Sequence, residues 1–206
     1  MLTPLRLDVD TIVGSPLPLD LSFVKLHCAI DYTDSDALIE QYVLAAIRAF
    51  EDTTHRTVFS RDHRWVLKDF PPTPGYQITL PRGRTTAVES IVYYSDGVAT
   101  TLGGPTSSGS PTPADYQEDL RGEHGGVLAP LSGSAWPAVD TLQVAPVTIT
   151  FTAGWANADV PPDITQALLW YIRTALDDNR SDPMKAIANN TVFEAMVSGW
   201  RLDRFY

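Results

Sequence analysis

The chain has 206 residues and 22.6 kDa, of which 44% are hydrophobic and 19% charged, which excludes a disordered chain and a coiled coil and leaves enough material for a real core. Net charge is −10, and acidic residues outnumber basic ones in every region (nine to four in 1–57, nine to six in 58–153, seven to five in 154–206), so no region carries the basic footprint of a protein that grips phosphate. The single cysteine, Cys28, excludes an intramolecular disulfide and a multi-cysteine zinc module, no apolar run reaches a membrane span, and the first twenty residues lack the layout of a secretory signal, so a cytosolic protein is expected.

In chain order, Asp20-Leu21-Ser22-Phe23-Val24-Lys25-Leu26-His27 reads as a short capped helix. Thr33-Asp34-Ser35-Asp36 resembles a capping box, with Thr33 placed to accept a backbone N–H and Asp36 three residues on. A long helix follows through ALIEQYVLAAIRAFED, free of Gly and Pro. Ile39, Val43, Ile47 and Phe50 recur on one face, and Leu38, Tyr42, Ala45 and Ala49 form an adjacent stripe. Apolar stripes this wide predict contact with more than one neighbour, which makes Leu38, Tyr42, Ala45 and Ala49 the candidate subunit interface.

The period changes after Arg56. Trp65–Leu67, Tyr76–Leu80 and Val88–Tyr94 read as strands, and Asp96-Gly97 predicts a hairpin into Val98–Leu102. The Gly/Ser/Pro/Thr stretch 103–115 reads as a loop with a mobile tip. Short strands are expected at 115–116 and 127–128, and a strong alternating one over 144–153. Pro161-Pro162-Asp163 opens a second long helix whose apolar face is Ile164, Ala167, Leu168, Tyr171, Ile172 and Ala175. The expected class is α+β: a helical bundle with an inserted small antiparallel β domain. Its parts are a helical segment 1–57, a β domain 58–153, and a C-terminal helix and tail 154–206 that packs with 20–57.

No set of residues composes an active site. Cys28 and His27 are neighbours on a helix and point about 100° apart, so they cannot act as nucleophile and base. His55, Asp62 and His63 match no metal-ligand spacing. The cluster Asp115, Glu118, Asp119, Glu123 and His124 lacks the alternating spacing of a calcium loop. Residues 103–110 hold neither a nucleophile elbow nor a phosphate loop, and Arg82-Gly83-Arg84 reads as an exposed turn. Asn189-Asn190-Thr191 matches a glycosylation acceptor that has no meaning without secretion. No catalytic residue, metal or cofactor is expected.

The C-terminus is the anomaly. Three of the twenty aromatics fall in the last seven residues, Trp200-Arg201-Leu202-Asp203-Arg204-Phe205-Tyr206, where a polar, frayed end is the norm. Two readings stay open: the tail folds back on its own core, or it docks on another chain. Aromatic and Arg side chains are interface anchors, and this favours docking.

Four stretches together resemble the tailed-phage head–tail connector (adaptor) family, which includes the adaptors of gene transfer agents: residues 21–56, the WVLKDFP strand at 65–71, ITFTAGWANADVPPDITQALLWYIRTALDDNR at 149–180, and VFEAMVSGWRLDRF at 192–205. The likeness lies in their order and spacing and covers about half of the chain. It implies a structural subunit that forms a ring of twelve copies beneath the portal protein, extends the DNA channel and presents a surface to a stopper or tail-completion protein. It places the subunit in the neck of a virion or phage-like particle, assembled in the bacterial cytoplasm, with no membrane partner. It makes Trp200, Arg201, Leu202, Arg204, Phe205 and Tyr206 the portal-binding anchor. DNA would pass an acidic wall without specific binding. The alternative is a β-rich ligand-binding module with a concave site lined by aromatics such as Trp65, Tyr76 and Tyr93.

Overall fold

In the computed structural model the described residues are 4–9, 19–105, 114–140, 142–178 and 191–202. They fall into two compact units, one built from 19–59 with 155–178 and 191–202, the other from 4–9 with 60–154. The mixed α+β class expected from the sequence holds.

The helical unit contains α1 (Leu21–Cys28), α2 (Asp36–Thr54), α3 (Pro162–Asp178) and a last helix, α4, over 191–197. Asp20 caps α1 as expected: its Oδ1 accepts the Ser22 N–H at 2.8 Å, a bond that holds the carboxyl below its ordinary pKa. The capping box proposed for α2 does not form. The helix starts at Asp36, behind a Ser35 whose side chain makes no cap bond, and the Asp36 carboxylate instead takes the Lys25 Nζ of α1 at 2.6 Å. Residues 33–35 instead form a turn in which the Asp36 N–H donates to Thr33 O at 3.1 Å, so the helix begins three residues after the expected cap.

Packing explains the rest of this unit. Ile39, Val43, Ile47 and Phe50, the face read from the sequence, are all buried, together with Ala46. They meet Ile164, Ala167, Leu168, Leu169 and Ile172 of α3, and Val24, Phe193 and Val197 from the other helices complete the cluster. Each fully buried side chain of this size stabilises by about 1.5–3 kcal/mol. α2 stops at His55, whose left-handed φ of 58° turns the chain and lets its N–H close on Glu51 O at 2.9 Å.

Among the described residues the second unit holds eight strands in two antiparallel sheets. The larger runs β1-β2-β8-β4-β5 and the smaller β3-β7-β6. These are β1 (Pro4–Val9), β2 (Arg61–Leu67), β3 (Ile78–Gly83), β4 (Thr85–Ser95), β5 (Val98–Leu102), β6 (Tyr116–Asp119), β7 (Gly125–Pro130) and β8 (Val147–Ala153). β8 is central, paired with β2 from Arg61↔Ala153 to Leu67↔Val147 and with β4 on its other side. Its inward residues Val147, Ile149, Phe151 and Ala153 alternate with half-exposed threonines, the period-2 signature visible in the sequence. The two sheets share one core, where Trp65, Leu67 and Ile91 of the larger meet Ile78, Tyr116 and Leu128 of the smaller.

Asp96 and Gly97 close the β4–β5 hairpin with φ of 51° and 75°, the left-handed pair that a two-residue turn of this twist requires. A Cβ at Gly125 would collide with the Leu80 carbonyl oxygen, so the close approach of β7 to β3 depends on that glycine.

The strand at the chain's start departs from the sequence reading. Residues 4–9 fall within the segment 1–57 expected to be helical, yet they form β1 and pair with β2 through Leu7↔Trp65 and neighbouring registers. Strand bounds also shift: 65–67 extends back to Arg61, and 115–116 and 127–128 lengthen to 116–119 and 125–130. The tip of the 103–115 loop, 106–113, lies outside the described residues.

His63 sits inside the β unit with 1% exposure, stacked on Phe151 at 5.2 Å, its Nδ1 3.0 Å from the Arg61 carbonyl. Burial lowers its pKa to about 4; the Arg61 carbonyl and Asp62 pull it upward, while the Arg82 and Arg61 guanidinia push it further down. A group depressed on folding binds a proton more readily unfolded, so its contribution is complete above pH 6.5 and is lost as pH falls toward 4. The β unit is therefore expected to lose on the order of 3 kcal/mol across that window. Urea titrations at pH 7 and pH 4 should show a smaller acid loss in His63→Phe than in the parent chain.

Candidate functional site

The expected anchor begins in a helical-unit site built from four chain segments. α4 ends in a turn over Ser198–Trp200, where Ser198 Oγ donates to Ala195 O at 2.8 Å. Trp200 lies edge-on to the buried Trp155, with ring centroids 5.8 Å apart. Its indole N–H donates to Asp163 Oδ2 at 2.9 Å, and Asp163 Oδ1 accepts the Ile164 N–H at 3.0 Å. Arg56 approaches from the end of α2: its guanidinium carbon is 5.4 Å from the Trp200 ring centroid, and its Nε donates to Trp200 O at 2.6 Å. Two residues on, the Leu202 N–H donates to Thr54 O at 3.0 Å, which satisfies a carbonyl in the last turn of α2. Arg201 is exposed and pairs loosely with Glu194 at 3.8 Å.

Of the six predicted anchor residues, Trp200 and Leu202 are thus engaged by their own unit and Arg201 points to solvent. Arg204, Phe205 and Tyr206 lie outside the described residues. The fold-back reading of the tail accounts for 200–202. Sequence reasoning missed Arg56, Trp155 and Asp163, because their neighbourhood with Trp200 spans 37 to 144 positions of chain.

A second surface lies on α2. Leu38 is 45% exposed and Ala45 is exposed, while Tyr42 and Ala49 are half-buried at the core margin. Leu38 also lines a cleft of about 300 Å³ with Cys28, Ile30, Tyr32, Arg173 and Asp177. Burial pushes the Cys28 thiol up, the Arg173 charge draws it down and Asp177 raises it again, the opposite of an activated thiolate.

The remaining candidates are dispersed. His55 ends α2, while on β2 Asp62 accepts a bond from Thr152 Oγ1 at 2.7 Å and His63 is stacked in the core. In the acidic cluster, Asp119 pairs with Arg121 at 3.0 Å and Glu123 with Arg84 at 3.0 Å. Among the described residues no three His, Cys, Asp or Glu side chains are grouped to hold a metal ion. The aromatics named for a ligand site do not line one: Trp65 is a core residue, Tyr93 packs edge-on to Phe70 at 6.1 Å, and Tyr76 is exposed with its carbonyl bound by Trp136 Nε1 at 2.9 Å.

Comparison with known proteins agrees with the resemblance read from the sequence. Residues 18–95 match the phage gp6-like head–tail connector protein family. The fold matches a chain in the virion of a native gene transfer agent particle with a TM-score of 0.72, at 22% identity over 98% of both chains. Chains from two necks are also similar: that of an empty gene transfer agent particle (TM-score 0.70, 22% identity, 98% of both chains) and that of a native one computed with C12 symmetry (0.62, 20%, 97% of both). No curated protein matches the sequence.

The Trp200 contacts carry a stability consequence. Trp200→Ala removes a half-buried indole and its N–H bond, and is expected to lower the stability of the helical unit by about 2 kcal/mol. Trp200→Phe, which keeps a ring but loses the bond to Asp163, should cost about 1 kcal/mol. Urea unfolding followed by tryptophan fluorescence and far-UV circular dichroism checks both values and their order.

Proposed function

With the head–tail connector match as premise, we propose that this chain is a structural connector subunit of the neck of a phage or gene transfer agent particle. It forms a ring, of twelve copies on this reading, beneath the portal protein, extends the DNA channel and offers a surface to the stopper or tail-completion protein. Its role is assembly rather than catalysis, and the subunit is made in the bacterial cytoplasm. The observation that carries the reading is agreement in fold along nearly the whole chain with neck proteins, joined to a family match over α1, α2 and strands β2 to β4.

Two surfaces serve this function. The stripe Leu38, Tyr42, Ala45 and Ala49 is the self-contact: two of its members are exposed, and it continues into the Leu38 cleft. A head-to-tail contact between one such stripe and a different surface of the next copy is what closes a ring. The C-terminal segment is the portal anchor. Trp200 and Leu202 root it in the helical unit, Arg201 flanks the root, and Arg204, Phe205 and Tyr206 make the contact. Each buried aromatic anchor contributes on the order of 2 kcal/mol, repeated at every subunit of a ring. The charge of −10 supports a channel wall that repels DNA phosphates, so that DNA slides.

Incorporation into portal-bearing, DNA-filled heads tests the reading. Leu38→Asp with Tyr42→Asp should leave the monomer folded and abolish ring formation on the heads, seen as loss of the neck density by electron microscopy. Deleting 203–206 should leave the urea midpoint unchanged while subunit binding to heads falls at least thirtyfold, about 2 kcal/mol. Normal incorporation of both variants would defeat the assignment of these surfaces.

A further inference from the structure

We propose that Arg56 is a positioning residue for the C-terminal tail: it clasps Trp200 and so holds the tail root, 198–202, in one register on the helical unit. The proposal rests on the connector reading for what the tail then touches, and on the structure alone for the clasp.

Arg56 is 5% exposed. Burying a guanidinium is costly, and an apolar side chain of similar volume in such a place is often neutral or stabilising by comparison. Packing therefore does not explain an arginine here; what the guanidinium grips does. It takes two features of one residue at once, the Trp200 carbonyl at 2.6 Å and the Trp200 ring at 5.4 Å. A planar, forked cation is suited to that pair of contacts, and a lysine ammonium on a flexible stem is not.

Two further bonds set the register. Asp163 accepts the indole N–H, and Thr54 O accepts the Leu202 N–H. A slip by one residue would carry Trp200 away from Arg56 and Asp163 and leave the Thr54 carbonyl without that donor. Arg201 between them is extended, with φ of −63° and ψ of 134°, and carries the chain from the Trp200 ring to the Leu202 bond. The tail root, 198–202, is thus bound within its own subunit. An anchor held at its root loses less conformational freedom on docking, which raises affinity without a new contact to the partner.

The test uses the full-length chain with Arg56→Met, which fills the volume without the charge, and Arg56→Lys, which keeps the charge without the fork. Amide exchange at Leu202 and indole N–H exchange at Trp200, followed by NMR, report the clasp in the free protein. Binding to purified portal protein reports its use. In Arg56→Met both exchange rates should rise at least tenfold beyond what any change in urea midpoint accounts for, and portal affinity should fall about tenfold; Arg56→Lys should fall between Met and the parent chain. Unchanged exchange in both variants overturns the clasp. Faster exchange with parental portal affinity overturns positioning. The 203–206 deletion separates the two levels: if it binds portal as the parent does, the docking reading fails, and the exchange measurements still decide whether Arg56 holds the tail root.

Discussion

The chain leaves its helical unit after Phe59 and returns at Trp155, and the fold depends on those two points being held together. They are joined by the Trp155 N–H donating to Val58 O at 3.0 Å and by a parallel bridge between Phe59 and Trp155. All three side chains are buried in the helical core. The 95 residues from Ser60 to Gly154 thus form a long excursion closed at its base. Closing a loop of that length costs entropy that grows only slowly with length, so a small set of well-packed contacts at the base suffices. Because Trp155 also meets the Trp200 ring, the same point secures the chain's last described segment. The end of α2, Trp155 and the tail root converge on one aromatic cluster.

Local chemistry explains which elements were legible in the sequence. The α2 face, the β8 alternation and the Asp96-Gly97 turn are encoded within a few residues and emerged from them, although β8 starts at Val147 rather than 144 and the buried face of α3 includes Leu169 while Tyr171 and Ala175 are only half-buried. β1 carried a readable signal too, Leu5-Arg6-Leu7-Asp8-Val9, but nothing local tells such a segment that its partner lies some sixty residues on, at β2. The α2 start departs as well: Asp36 satisfies the capping pattern, but residues 33–35 form a turn and the Asp36 carboxylate pairs with a lysine eleven residues earlier. In the candidate site, the aromatic character of the tail was visible, whereas its receptor was not. Arg56, Trp155 and Asp163 look ordinary one at a time and acquire meaning only through Trp200.

The clasp also shows how a helix end can be used twice. The last carbonyls of α2 need donors, and His55 N–H and Leu202 N–H supply two of them, to Glu51 O and Thr54 O. Water could satisfy the Thr54 carbonyl equally well in an exposed helix, but Thr54 is fully buried. A buried carbonyl without a donor costs about 1–3 kcal/mol. The tail root is therefore part of what stabilises α2, and the terminal segment follows the fold as a consequence of satisfying it.

Charge and apolar surface act against each other in the proposed ring. A subunit of net charge −10 repels its copies, and at physiological ionic strength that repulsion extends over roughly 8 Å between exposed groups. Against it stand four stripe residues on α2, two of them alanines with little area to bury, and the Arg48–Asp52 pair beside them is exposed and contributes little. Such a balance favours monomers in dilute solution and rings where another structure gathers the copies. An anchor rooted in each subunit raises the local concentration of its neighbours once it is docked, and this converts a weak self-contact into an intramolecular one. On this reading the tail and the stripe are successive steps: docking supplies the proximity that the acidic surface otherwise opposes, and ring closure then depends on the few apolar side chains that α2 leaves uncovered.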